Sequence, residues 1–219
     1  MRYRELIEGD ITDIMNAAEH PGIDDERAKS EYLDMVELIK RDCQPYLSQV
    51  DDPISLYRGV SRSYDGINVG RPLYHKKRAH LEDRKTKAMS HFGAQYVQKY
   101  FTENFGHPYR NGVMAINDQL HSGYFGVDTV FFPIGEFEFL WSPTIKDLNW
   151  DMPQILKVVN RDPKEATRLI KAVLDKGKYQ TTDLQAAVDS KNEIMFWVKE
   201  YYAVDATKGR RADLVKLLK

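Results

Sequence analysis

Apolar positions along this chain recur with two periods, one helical and one extended. Ile11, Ile14, Met15 and Ala18 stand at helical spacing, and "HPGIDDE" after them reads as a turn. Leu33, Val36, Ile39 and Cys43 mark one face of a second helix over 30–44, which Pro45 ends. Ile54, Leu56 and Arg58 then alternate with Ser55 and Tyr57, which predicts a short strand over 54–59. Helical spacing returns over 87–105, with Met89, Phe92, Tyr96, Val97, Tyr100 and Phe105 expected inward. "GHPYRNG" is a turn, "GVMAIN" (112–117) a strand, and "DQLHSGYFG" a short helix closed by glycine. "DTVFFPIGEFEFLWSP" gives two strands around Pro-Ile-Gly, with Phe137, Phe139 and Trp141 alternating with Glu136, Glu138 and Leu140. Helices follow at about 152–160 and from Asp162, where Pro163 at the first position and Glu165 at the third make a capping box that Gly177 closes. A short helix at 182–188 leads into strands at 193–198 and 201–205.

Short strands at uneven spacing between helices predict an α+β fold with a mostly antiparallel sheet. Neither a G-x-G-x-x-G nor a G-x-x-x-x-G-K-[ST] stretch occurs, which argues against Rossmann and P-loop sites. The organisation expected is a helical lead-in over 1–50, one α+β domain over 51–207 and a basic tail over 208–219. Between the first strand and the long helix lies "SYDGINVGRPLYHKKRAHLEDRK", a polar, Gly-bearing connection long enough to be expected as a lid.

Composition narrows the function classes. Of 219 residues 42% are apolar, enough for a real core, and the formal charge of −1 argues against a purely electrostatic binder of nucleic acid. The single cysteine, Cys43, excludes an internal disulfide and a multi-cysteine zinc site. The opening "MRYRELIEGDITDIM" has no signal-peptide core, and no apolar run approaches the ~20 residues of a membrane span, so a cytoplasmic protein is expected.

Two residues stand out chemically. Arg58 sits in a strand before Gly59, where a ligand or backbone can approach closely, and a guanidinium fork suits phosphate. Glu193 opens the apolar strand "EIMFWV". Each has an ordinary alternative, a salt-bridged sheet arginine and a solvated strand-end carboxylate. His75, His80, His91, His107 and His121 show no ligand spacing, so no metal site is expected, and Ser61, Ser63 and Ser90 lack a nucleophile-elbow setting. The run "HKKRAHLEDRK" reads as a solvated loop or as a contact for nucleic acid, an acidic protein or phosphates.

Taken together, "LYRGV", "GVMAIND" with "SGYFG", and "NEIMFWVKEYYAV" resemble, in order and spacing, the three-part signature of the ADP-ribosyltransferases, over about 54–205. The resemblance implies a split antiparallel sheet with flanking helices, NAD as substrate, and transfer of ADP-ribose to a macromolecular acceptor, protein or nucleic acid. It implies Glu193 and Arg58 as catalytic residues, and Arg58, Gly59, Asn117 and Tyr124 as the residues that hold NAD. Lys191-Asn192-Glu193 stands where the family carries E-x-E, and Glu136-Phe137-Glu138 is a second E-x-E, so Glu138 is the alternative carboxylate. The stretch from "DRKTKAMSHFG" to "LWSPTIKDL" is also similar to proteins of tailed bacteriophages, which implies action in the cytoplasm of an infected bacterium. NAD hydrolysis and a non-catalytic phage structural or host-binding role on the same scaffold remain open alternatives.

Overall fold

A computed structural model describes residues 25–60, 74–82, 91–148, 152, 162–205 and 211–218. The helix expected at 10–18, and that at 152–160 apart from Met152, lie outside them. In chain order the elements are α1 (Asp25–Asp42), α2 (Gln44–Leu47), β1 (Tyr57–Val60), β2 (Tyr74–Arg78), α3 (His91–Phe105), a 3₁₀ turn (Tyr109–Asn111), β3 (Val113–Ala115), α4 (Gln119–Gly123), β4 (Val127–Pro133), β5 (Glu138–Trp141), α5 (Pro163–Lys176), α6 (Leu184–Ser190), β6 (Ile194–Trp197), β7 (Glu200–Asp205) and α7 (Arg211–Leu218).

The α+β class stands, with two antiparallel sheets. One has strand order β1-β4-β7-β2, the other β3-β6-β5. The strands on either side of Pro-Ile-Gly therefore do not pair. The turn, with Gly135 at φ +67°, carries the chain from the first sheet into the second. The final pair, β6 and β7, splits between the sheets in the same way.

Alternation explains the layering. On β4, Phe131 points at the second sheet and meets Phe196 at 4.8 Å between ring centroids. Phe132 points the other way, toward Tyr46 of α2 at 6.2 Å, and neighbouring Tyr202 donates to Asp42 of α1 at 2.7 Å. The second sheet is buried on both faces. Ile194, Phe196, Phe139 and Trp141 join the main core, while Met195 and Leu140 join a second core with Val97 and Phe101 of α3 and Ile170 and Leu174 of α5. The layers run helix, sheet, sheet, helix.

Several expectations change. Pro45 does not only end α1: it stands in the first turn of α2, where its missing N–H costs nothing. On α3 the centre of the buried face is Val97 and Phe101, and Phe92 is exposed. The stretch expected as a lid contains β2, an edge strand whose partner is β7. The basic tail contains α7, whose Leu214 and Leu218 enter the main core beside Tyr32, Met35 and Ile39 of α1. Asp162 does cap α5, accepting from Lys164 N and Glu165 N at 3.0 and 3.1 Å, while the Glu165 carboxylate turns to Arg168.

Candidate functional site

Cross-strand register sets the site. Arg58 is opposite Thr129 on β4, and Pro133, two places beyond Phe131 on the same face, is opposite Tyr201, which is opposite Lys77 on β2. The pleat thus puts Arg58, Tyr201 and Lys77 on one face of the first sheet. Arg78 falls on the other face, where it and Lys76 meet Glu200 at 3.8 and 2.9 Å.

Arg58 lies with its guanidinium carbon 5.4 Å from the centroid of the Tyr201 ring, a cation–π geometry. Its Nη1 donates to Met114 O of β3 at 3.0 Å. Its Nε is buried and meets no acceptor among the described residues. A buried donor without an acceptor costs about 1–3 kcal/mol, and a bound anion would recover that. Arg58 opens onto a cleft of about 220 Å³, walled also by Lys77, His80, Asn111, Gly112 and Tyr201. Asn111 Oδ1 accepts from Gln98 at 2.6 Å, so what its side chain can offer a ligand is the amide N–H. No carboxylate is among the described residues that line the cleft. Arg58 and Lys77 beside a small concavity whose described lining holds no carboxylate make a candidate anion site.

Gly59, as expected, is among the residues that line the cleft, and it also serves the packing of α4 against β1. A Cβ there would stand 2.5 Å from Ser122 O and 2.8 Å from Phe125 Cβ, so the missing side chain lets α4 close on the strand. Tyr124, just after α4, is 74% exposed and is not part of the cleft wall. Asn117 donates to Val188 O at 3.1 Å and ties the end of β3 to α6.

Glu193 is not in the cleft wall either. The pairing of Ala115 with Ile194 puts it beside Ile116, at the far end of β3 from Asn111–Val113. At ~3.3 Å per residue, Val113 and Ile116 are about 10 Å apart along the strand. Its Oε2 accepts from Arg110 Nη1 at 2.8 Å, with side-chain exposures of 12% and 5% for the carboxylate and the arginine. Its backbone N–H donates to Lys146 O at 2.8 Å. Glu138, the alternative carboxylate, heads β5 with its side chain 60% exposed. It meets His107 at 2.9 Å, and His107 stacks on Trp197 at 4.8 Å.

Around Glu193 lies a polar cluster. His121 and Asp147, both buried, meet at 2.9 Å. Asp118 caps α4 by accepting from His121 N at 3.0 Å, and Lys146 reaches Asp118 at 3.3 Å. The bond from His121 N, then the Lys146 ammonium, holds the Asp118 carboxyl below its ordinary range.

The three stretches that carried the resemblance do converge. Arg58 bonds β3, Tyr57 bridges Ile116, β3 pairs with β6, and α4 abuts Gly59. Residues unmarked in sequence complete the picture. Arg110 sits in a stretch that reads as a turn, its burial invisible there. Tyr201 looked like one tyrosine among thirteen. Lys77 and His80 belong to the run "HKKRAH", for which a phosphate contact was one expectation. No family model, curated protein or solved structure matches the chain.

Proposed function

We propose that this chain binds NAD and transfers its ADP-ribose to a macromolecular acceptor. The observation that carries the reading is the Arg58 cleft: a half-buried arginine whose Nε meets no acceptor among the described residues, set over Tyr201 where the three family-like stretches meet. Pockets for whole small molecules usually exceed ~300 Å³, so a smaller cleft suits the pyrophosphate, with the two nucleosides extending outward. Arg58, Lys77 and the Asn111 amide would hold the phosphates. Glu193 would face the ribose as nicotinamide departs with the electrons of the broken C–N bond, offsetting the oxocarbenium charge left at the anomeric carbon. The acceptor nucleophile then bonds that carbon and loses its proton. Arg110 orients Glu193 and also neutralises part of the charge it can offer.

That last point favours a second reading, a non-catalytic scaffold that binds a phosphate-bearing ligand. Its specific support is that Glu193 is bonded to Arg110 and lies outside the cleft wall. Calorimetric titration with NAD, followed by incubation of labelled NAD with the protein and a bacterial lysate, separates the two. The first reading expects binding that Arg58→Ala weakens at least roughly tenfold, equivalent to one charge-assisted bond, and label transfer that Glu193→Gln lowers by roughly 10²- to 10³-fold. Binding with neither transfer nor NAD breakdown leaves the scaffold. Breakdown with no labelled acceptor makes the chain a glycohydrolase. No binding of NAD overturns the NAD reading outright.

A further inference from the structure

Glu193 is connected to α4 by a bracket of hydrogen bonds and ion pairs. The bracket is the segment 142–147. Its lower end is fixed: Ser142 Oγ donates to Gly177 O and accepts from Ile145 N at 2.9 Å, an arrangement that closes the segment on itself. Two bonds tie it to the residues that open β6. Asn192 Nδ2 donates to Ser142 O at 2.8 Å, and Glu193 N donates to Lys146 O at 2.8 Å. Two further bonds tie the adjacent pair Lys146–Asp147 to α4, through Asp118 at 3.3 Å and His121 at 2.9 Å.

The four bonds differ in kind. Lys146–Asp118 is solvent-exposed, and pairs of that sort contribute little. His121–Asp147 is buried, with 6% and 3% of the side chains exposed, so solvent and salt screen it far less. Asp147 adjoins the residue whose carbonyl accepts from Glu193, so a shift of Asp147 moves that carbonyl within one peptide plane.

We propose that His121 and Asp147 are positioning residues for Glu193: by locking α4 to the Lys146 carbonyl they fix where the carboxylate stands relative to β3. This rests on the reading of Glu193 as the group that acts on the ribose. Misplacement of a catalytic group by about 1 Å is enough to cost roughly 10²-fold in rate. Neither residue lines the Arg58 cleft, so NAD binding is spared.

The test uses His121→Ala, its conservative counterpart His121→Gln, and Asp147→Ala, each checked for folding by circular dichroism. Amide hydrogen exchange is followed at Glu193 and, on the same strand, at Met195 and Phe196, which belong to the β3 and β5 ladders. Expected is exchange at Glu193 faster by roughly tenfold or more in both alanine variants, protection at Met195 and Phe196 retained, and partial recovery in His121→Gln. In turnover, kcat falls with KM little changed, and His121→Gln recovers part of it. Glu193 protection unchanged in folded His121→Ala overturns the proposal. So does an equal loss along all of β6, which makes the pair a mere fold contact. Absence of NAD turnover in the wild type sinks the transferase reading alone, and the exchange experiment still decides whether the bracket holds Glu193.

Discussion

The Arg110–Glu193 pair changes what a substitution at Glu193 means. Read from sequence, Glu193→Gln is a change at a strand mouth that leaves folding little altered. In the structure it leaves a guanidinium that is 5% exposed without its carboxylate. Breaking a buried pair from one side costs about 3–5 kcal/mol, whereas replacing both partners by apolar groups is often neutral or better. Urea denaturation should therefore give a markedly lower midpoint for Glu193→Gln and for Arg110→Ala. Arg110→Met combined with Glu193→Leu should lie near the wild type. Turnover by Glu193→Gln has to be read well below its own unfolding transition. Asp118 gives a pH prediction. Its carboxyl is held low first by the bond from His121 N and then by Lys146. A carboxylate lowered in the folded state contributes stability that is complete above its unfolded pKa of about 4 and is lost as pH falls through the folded value. Asp118→Asn should thus be less stable than wild type at neutral pH, and the difference should shrink as pH falls through the lowered folded value of Asp118, as acid-unfolding curves of the two proteins would show.

Among elements, α4 packs closely on β1 near the site. Gly59→Ala would drive a methyl into Ser122 O and the Phe125 backbone, atoms that cannot swing aside. Overpacking of that kind costs about 1–3 kcal/mol. It should lower the thermal midpoint, and near-ultraviolet circular dichroism should report a displaced aromatic environment. At α5, removing the cap with Asp162→Ala should cost ~1 kcal/mol by denaturant titration, independent of any ligand. That cap was legible because Asp162, Pro163 and Glu165 form a local signature. Sheet membership was not, because it is not local. Period two finds β4 and β5 but cannot say whether Pro-Ile-Gly folds them together or sends them apart. β2 escaped for another reason: "YHKKR" has no apolar face, as suits an edge strand whose charges discourage foreign pairing. Arg58 was legible through the glycine beside it. The partner of Glu193 lay in "PYRNG", where turn chemistry hid a buried arginine.

Over the whole molecule, a chain with formal charge −1 gathers Arg58, Lys77 and His80 around one small cleft. They come from opposite edges of the first sheet, β1 and β2, with Tyr201 of β7 between them. Net charge was therefore a poor guide to the local field, which depends on placement. Ligand binding there should weaken as ionic strength rises, since the Debye length drops from about 30 Å at 0.01 M to about 3 Å at 1 M. Calorimetric titrations at low and high salt check this, and Lys77→Ala should flatten the dependence. No helix among the described residues is long and apolar enough to cross a membrane.

The strand order also sets a schedule. β2 bonds only to β7 in its sheet, and β7 is among the last elements of the chain. During synthesis, at ~5–20 residues per second, the ribosome needs roughly 6–25 s after making β2 before β7 exists to receive it. Throughout that interval the nascent chain has Arg58 and Lys77 but neither Tyr201 nor the ladder that brings them onto one face. A cleft assembled this way cannot capture a ligand before β7 has been made, and a chain released before residue 200 should bind none. Lys76, Lys77 and Arg78 give that strand, while it waits for β7, charges of the kind that discourage edge-to-edge pairing.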